Sequence, residues 1–190
     1  MDKYKVDWPE GARGLWRVER FTVPKHSIEG MRLGFAGRGI SPGTYTRLMH
    51  KHRGLVMSDT PAEIRDCMSL FINARGNGLI NGLGLGMCLR GVLLKPEVEQ
   101  VTVIEIDQDL IDLIGGYFAD KSRVAIINAD AFHYKPPRGQ RFDFVWHDIW
   151  DDICGDNYDE MKRLHRKYGR LTKWQESWCR WQTQRAAKEQ

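Results

Sequence analysis

The sequence predicts an α/β fold: a parallel sheet flanked by helices, preceded by a small β-rich unit and followed by a helical tail. Three observations lead there. From residue 78 onward, short apolar strands alternate with amphipathic helices, the pattern of a parallel sheet covered on both faces. Before residue 58, strand-like runs are separated by turn residues. After Ile153 the only β-branched residues are Thr172 and Thr183, so nothing there reads as a strand and the sheet is expected to be cut short after its fourth strand. The expected divisions are 1–57 for the β-rich unit, 58–160 for the core and 161–190 for a basic helical tail packed on it.

Leu15 to Val23 alternates apolar and polar residues, as a half-buried strand does. Gly34, Gly37, Gly39 and Pro42-Gly43 interrupt the chain beyond it, and Tyr45–His50 and Leu55–Met57 read as two strands joined by a turn near Lys51–Gly54. Thr60-Pro61-Ala62-Glu63 is a helix start: Thr60 to cap, Pro61 with its φ preset, Glu63 to complete a capping box. That helix carries Ile64, Met68, Phe71 and Ile72 on one face and stops at Gly76. The core then reads as strand Gly78–Asn81, helix Met87–Lys95, strand Val101–Ile106, helix Asp109–Phe118, strand Val124–Asn128 and strand Phe142–Trp146. In the tail Trp174, Trp178 and Trp181 fall at i, i+4 and i+7, which predicts a packed helical face.

Length and charge bound the function. A chain of 190 residues suits one domain with a real hydrophobic core. Its net charge of +4 hides an asymmetry: residues 1–160 carry 20 basic and 23 acidic side chains, residues 161–190 carry 9 and 2. Composition alone therefore does not make a nucleic-acid binder. No apolar run approaches the roughly 20 residues of a membrane span, and the N-terminus reads Met1-Asp2-Lys3-Tyr4-Lys5 rather than as a signal peptide. The expectation is a cytoplasmic protein without membrane partners. Cys67, Cys88, Cys154 and Cys179 are widely spaced, which predicts reduced thiols and no metal site.

The chemistry concentrates at the ends of the core strands. Gly82-Leu83-Gly84-Leu85-Gly86 follows the first strand and opens a helix, where a glycine turn brings backbone close to a ligand and a helix N-terminus offers N–H groups. Glu105 ends the second strand, 19 residues after Gly86, where an acid accepts ribose hydroxyls. Asp130 and Ala131 follow the third strand; Asp130 is placed for an adenine amine, or else for a helix N-cap. A dinucleotide fingerprint would need glycine where Met87 stands, so an adenosyl ligand without phosphates fits better. Beyond the fourth strand come Asp148 and Asp151, in a stretch from Phe142 to Glu160 with seven acids and no Lys or Arg. Such a rim attracts a cation, and Asp148 could take the proton an attacking amine loses. Lesser candidates are His50-Lys51-His52 for a phosphate or metal grip, and His133 and His147 for a base. The run Lys162, Arg163, Arg166, Lys167, Arg170, Lys173 is a solvated helix face or a weak nucleic-acid contact.

Residues 78–152 resemble the class I S-adenosylmethionine-dependent methyltransferases, whose fold is Rossmann-like, and within them the spermidine synthases. The resemblance rests on Gly82, Gly84 and Gly86, on Glu105 in Val103-Ile104-Glu105-Ile106-Asp107, on Asp130-Ala131, and on the D-x-x-D of Asp148 and Asp151. It implies cofactor-binding roles for Gly82, Leu83, Gly84, Gly86, Glu105, Ile106, Asp130, Ala131 and Asp148, with Asp148 and Asp151 as catalytic residues. The implied cofactor is S-adenosylmethionine or its decarboxylated form. The stretch Glu63–Phe71 lacks that family's polyamine-holding tyrosine-histidine pair, and Asp152 stands where its D-x-x-D is followed by proline. Methyl transfer to an unidentified acceptor is therefore expected ahead of aminopropyl transfer to a diamine. A non-catalytic nucleoside- or RNA-binding protein is the third reading. A small-molecule or amine acceptor is expected ahead of nucleic acid, and a homo-oligomer is left open.

Overall fold

Strand pattern sorts the chain into two sheets. The computed structural model describes residues 1–25, 40–119 and 122–189; the breaks expected at Gly34, Gly37 and Gly39 lie outside them. In the first sheet β1 (Gly11–Arg13), β2 (Trp16–Val23), β3 (Gly43–His50) and β4 (Gly54–Ser58) run antiparallel in that order. β2 and β3 pair from Trp16–His50 to Val23–Gly43. Alternation turns Trp16, Val18 and Leu48 inward while Arg17 stays exposed, as a one-sided sheet requires.

The second sheet is parallel. Its strands β5 (Gly76–Asn81), β6 (Val98–Glu105), β7 (Val124–Asn128), β8 (Phe142–His147) and β9 (Thr172–Ser177) stand in the order β7-β6-β5-β8-β9. Leu79, Ile80, Val101, Val103, Phe144, Val145 and Trp146 are fully buried, because helices cover both faces. The helices are α1 (Pro61–Asp66), α2 (Met68–Asn73), α3 (Met87–Leu93), α4 (Gln108–Ile114), α5 (Asn157–Tyr168) and α6 (Arg180–Lys188). The strand order reverses at β5, and such a reversal opens a crevice beyond the carboxyl ends of the strands.

β9 overturns two expectations: the sheet does not stop at four strands, and the tail is not wholly helical. β9 pairs with β8 from Phe142–Thr172 to His147–Ser177. An edge strand is blunted with polar residues, here Lys173, Gln175 and Glu176, so its composition hides it. The tryptophans do not share a helical face. Trp174 lies on β9 and stacks on Trp146 (6.5 Å, 4°), Trp178 is buried beyond the strand, and Trp181 on α6 is 69% exposed.

Smaller corrections have equally local causes. The helix after Thr60 breaks at Cys67 into α1 and α2. Thr60 occupies the N-cap position without capping, since its hydroxyl bonds that of Ser58 at 3.1 Å. Ile72 is 70% exposed, so it does not join the buried face of Ile64 and Phe71. The helix stops at Asn73, and Gly76 begins β5. The next two helices, expected to reach Lys95 and Phe118, end as α-helix at Leu93 and Ile114; the second continues as the 3₁₀ turn Gly115–Phe118.

The N-terminal segment fastens the two sheets together. Trp8 donates from Nε1 to the Leu85 carbonyl (2.8 Å) and stacks on Tyr117 (4.2 Å), and Arg90 donates from Nε to the Lys5 carbonyl (2.8 Å). Buried Asp59 accepts from the N–H groups of Val6 (3.1 Å) and Thr46 (2.7 Å). Asp59→Ala strands both donors and is expected to cost about 2 kcal/mol. The check is a lower urea midpoint at unchanged slope.

Candidate active site

The crevice is a cleft of about 310 Å³, within the range of small-molecule sites. Its floor is four strand ends: Gly82 and Gly84 after β5, Glu105–Asp107 at the end of β6, Ala129–Phe132 after β7 and Asp148–Asp151 after β8. Trp16, Arg53, Val56 and Met57 of the first sheet form its roof.

Gly82 sets the spacing between β5 and β8. Its φ is +97°, and a Cβ there would lie 1.9 Å from the Asp148 carbonyl oxygen. Four of the loop's five N–H groups are already engaged. Gly82 donates to the Ile104 carbonyl, Leu83 to Glu105 Oε2, Leu85 to Met57 Sδ and Gly86 to the Leu83 carbonyl. The loop therefore offers a ligand shape more than donors. Leu83 is buried in the core and Gly86 starts α3 against Phe118; neither lines the cleft.

Glu105 is 8% exposed and accepts from Leu83 N at Oε2 and from Asp107 N at Oε1, both at 2.9 Å. A carboxylate has about four acceptor positions; the Ile106 N–H takes a third, so about one stays open. Burial pushes its pKa up against the N–H bonds of Leu83, Asp107 and Ile106. Beside it Ile106 is 68% exposed along the cleft. Asp107 caps α4 through Asp109 N and accepts from Trp16 Nε1 at 2.8 Å.

Asp130 caps no helix, because the chain after β7 makes only a turn. It lines the cleft and also opens the turn after β7, accepting from Phe132 N (2.7 Å) and pairing with His133 Nδ1 (2.7 Å). Desolvation works against its charge, but those partners hold its pKa below the ordinary value. The neighbouring Ala131 carbonyl accepts from Lys167 Nζ (2.8 Å) and the Tyr168 hydroxyl (3.3 Å) of α5, which fixes this wall.

At the β8 end, Asp148 accepts from the Cys88 thiol (Sγ–Oδ2 3.5 Å), and Cys88 Sγ lies 3.2 Å from Cys67 Sγ. Burial pushes the Asp148 pKa up to about 7, and the charges of Asp66 and Asp151 add to it. Cys67, Cys88 and Asp148 are close enough to share a metal ion. Cys67 is held protonated by its bond to Cys88 and by burial, and burial raises the Cys88 pKa as well. Burial likewise raises the Asp151 pKa, opposed by Arg53, whose Nη1 lies 2.7 Å from Asp151 Oδ2. The Arg53 guanidinium rests 4.9 Å from the Trp16 ring centre. Asp151, Arg53, Trp16 and Asp107 thus form one chain of contacts across the cleft mouth.

The lesser candidates fall away from the cleft lining. His147 is fully buried with its Nδ1 2.8 Å from Asn81 Nδ2, and burial with nearby His165 lowers its pKa to about 3. His133 is an exposed partner of Asp130. His50 packs edge-on to Trp16 and accepts from His52 N and Arg53 N. Asp143 sits at the far end of β8, paired with Lys173, so the acidic stretch does not act as one rim. Several cations of the basic run are engaged: Lys162 with Asp159, Lys167 with Ala131, and Arg163 over the Phe132 ring.

A model of the spermine/spermidine synthase domain matches residues 69–166, just over half of the chain. The chain belongs to the spermine/spermidine synthase family. Two curated relatives are polyamine aminopropyltransferase 2 of Caldanaerobacter subterraneus subsp. tengcongensis, 33% identical over 101 residues (48% of this chain, 34% of the relative), and a polyamine aminopropyltransferase of Buchnera aphidicola subsp. Acyrthosiphon pisum, 34% identical over 87 residues (42% and 30%). The chain spans about a third of the length of the relatives it matches. Among solved structures, TrmN from Thermus thermophilus is similar over 67% of this chain and 41% of that one, at 17% identity and a TM-score of 0.49. The family match contains Glu105, Asp130, Asp148 and Asp151 and excludes the roof residues Trp16, Arg53, Val56 and Met57. No helix among the described residues is long and apolar enough to cross a membrane.

Proposed function

We propose that the cleft takes an adenosyl sulfonium, S-adenosylmethionine or its decarboxylated form, and that the protein is a transferase that passes an alkyl group from it to a nucleophile. The observation that carries this reading is Glu105, a buried carboxylate at the cleft wall with an acceptor position left beyond its backbone partners Leu83, Asp107 and Ile106, beside the open aliphatic side chain of Ile106. The vicinal ribose hydroxyls would converge on that position, and Ile106, Ala131 and Phe132 would wall the base. Asp130, although engaged locally, retains lone pairs for an exocyclic amine.

The bound sulfonium supplies an electrophilic carbon on a positively charged sulfur. The chain's own part is placement: the carboxylates along the cleft favour a cation, and the shaped loop of Gly82 and Gly84 fixes where it lies. Asp148, poised near pH 7, accepts the proton that an attacking amine gives up. Methyl transfer to an amine is the preferred reading, and a small amine is favoured over nucleic acid because several tail cations are already paired. Family membership and the two named relatives support a second reading, aminopropyl transfer to a diamine.

A ligand pair tests the ribose role without disturbing the fold. By calorimetry, 5′-methylthioadenosine should bind, and its 2′-deoxy analogue should bind about tenfold or more weakly, the loss of one hydrogen bond to a charged acceptor. Equal affinity for the two, or no binding of any adenosyl compound, overturns the proposal.

A further inference from the structure

We propose that Arg53 holds a carboxylate of the bound ligand, so that the cleft selects S-adenosylmethionine over its decarboxylated form. This rests on the reading that the cleft takes an adenosyl sulfonium, and it separates the two transfers that reading leaves open. Among the described residues that line the cleft, Arg53 is the one Lys or Arg, facing Glu105, Asp107, Asp130, Asp148 and Asp151. A ligand carrying only positive charge would be served by acids alone; a cation set among them points to a ligand with an anionic group as well.

The guanidinium is placed for that task. Arg53 ends the β3–β4 turn, and its backbone N–H is bonded to His50 Nδ1 (3.3 Å). Its planar head rests on Trp16, itself 4% exposed and pinned to Asp107. Guanidinium has five N–H donors and binds carboxylates through paired ones. Asp151 engages Nη1, and the remaining donors suffice for a second carboxylate. The side chain is about half exposed, open to a ligand.

Position agrees with the chemistry. Arg53 pairs with Asp151, just past β8, while Asp130 follows β7, three strands away. At the usual strand spacing that separation is about 14 Å, so the carboxylate-binding group lies at the end opposite Asp130, where an amino-acid tail would point. The same pairing engages Asp151, which a purely cationic aminopropyl group would otherwise use.

Calorimetry on the full chain tests this with S-adenosylmethionine, its decarboxylated form and 5′-methylthioadenosine, which has neither carboxylate nor amine. Wild type should prefer S-adenosylmethionine over the decarboxylated form by about tenfold or more, the scale of a charge-assisted pair. Arg53→Gln should lose that preference while binding methylthioadenosine within about twofold of wild type. Asp151→Asn, which frees the guanidinium, should keep it. Equal or tighter binding of the decarboxylated form by wild type overturns the proposal. So does an Arg53→Gln variant that weakens all three ligands alike, or an Asp151→Asn variant that also loses the preference, since either makes Arg53 a strut for the loop. Failure of all three ligands to bind wild type overturns the adenosyl reading itself, a result distinct from the others.

Discussion

Gly82→Ala is expected to destabilise the protein by about 4 kcal/mol or more, within reach of the 5–15 kcal/mol that holds a domain folded. Two effects coincide at this residue. The φ of +97° lies where an L side chain is strained, and the added Cβ would stand 1.9 Å from the Asp148 carbonyl oxygen, a backbone atom with no rotamer to escape into. Asp148 cannot retreat without stretching its own N–H bond to the Asn81 carbonyl (2.8 Å), the contact that holds β5 and β8 together where the cleft begins. Gly54→Ala is the matched control. Its φ is +77°, but a Cβ there would meet nothing within 4 Å, so it should cost only the αL strain, about 1–2 kcal/mol. Denaturant midpoints of the two variants check the difference; similar losses would mean that the steric part is absorbed elsewhere.

The readable parts of this protein are those whose signal is local. Val124–Asn128 is a strand by composition alone, and Glu105, Asp130 and Asp148 stand at strand ends that hydrophobic patterning locates. What the sequence conceals depends on partners far along the chain. β9 has one β-branched residue and is a strand because β8, 30 residues earlier, offers it a backbone ladder. The tryptophans at 174, 178 and 181 satisfy helical spacing by coincidence, since Trp174 is drawn onto Trp146. The roof was hidden for the same reason: Arg53 meets Asp151 across 98 positions and Trp16 meets Asp107 across 91. The turn at Lys51–Gly54 could be read locally, but not what it leans over. Leu83 and Gly86 show the converse, since a motif places them beside a ligand while packing gives them to the core and to a helix start.

Asp148→Asn should lower turnover by about a hundredfold or more, the contribution of a positioned base, and should also change two pH dependences in defined directions. With its pKa raised to about 7 by burial, Asp148 is uncharged at pH 5 and ionised at pH 8. If it accepts the proton of an amine, wild-type turnover climbs through about pH 7, and the residual turnover of Asp148→Asn lacks that limb. Stability moves the other way. A carboxyl whose folded pKa exceeds its ordinary value of 3.8 contributes stability that is complete below pH 3.8 and is lost as pH rises through 7. Asparagine fills nearly the same volume and never ionises. The melting temperature of Asp148→Asn, taken relative to wild type, should therefore rise between pH 4 and pH 8, while groups common to both proteins cancel. A rate limb that vanishes without this relative gain would place the titrating base elsewhere in the cleft. A relative gain without any loss of rate would make Asp148 a buried acid that the fold tolerates for its bond to Cys88. Only the two together assign one proton to both effects, because the charge that the fold resists burying is then the charge that the reaction requires.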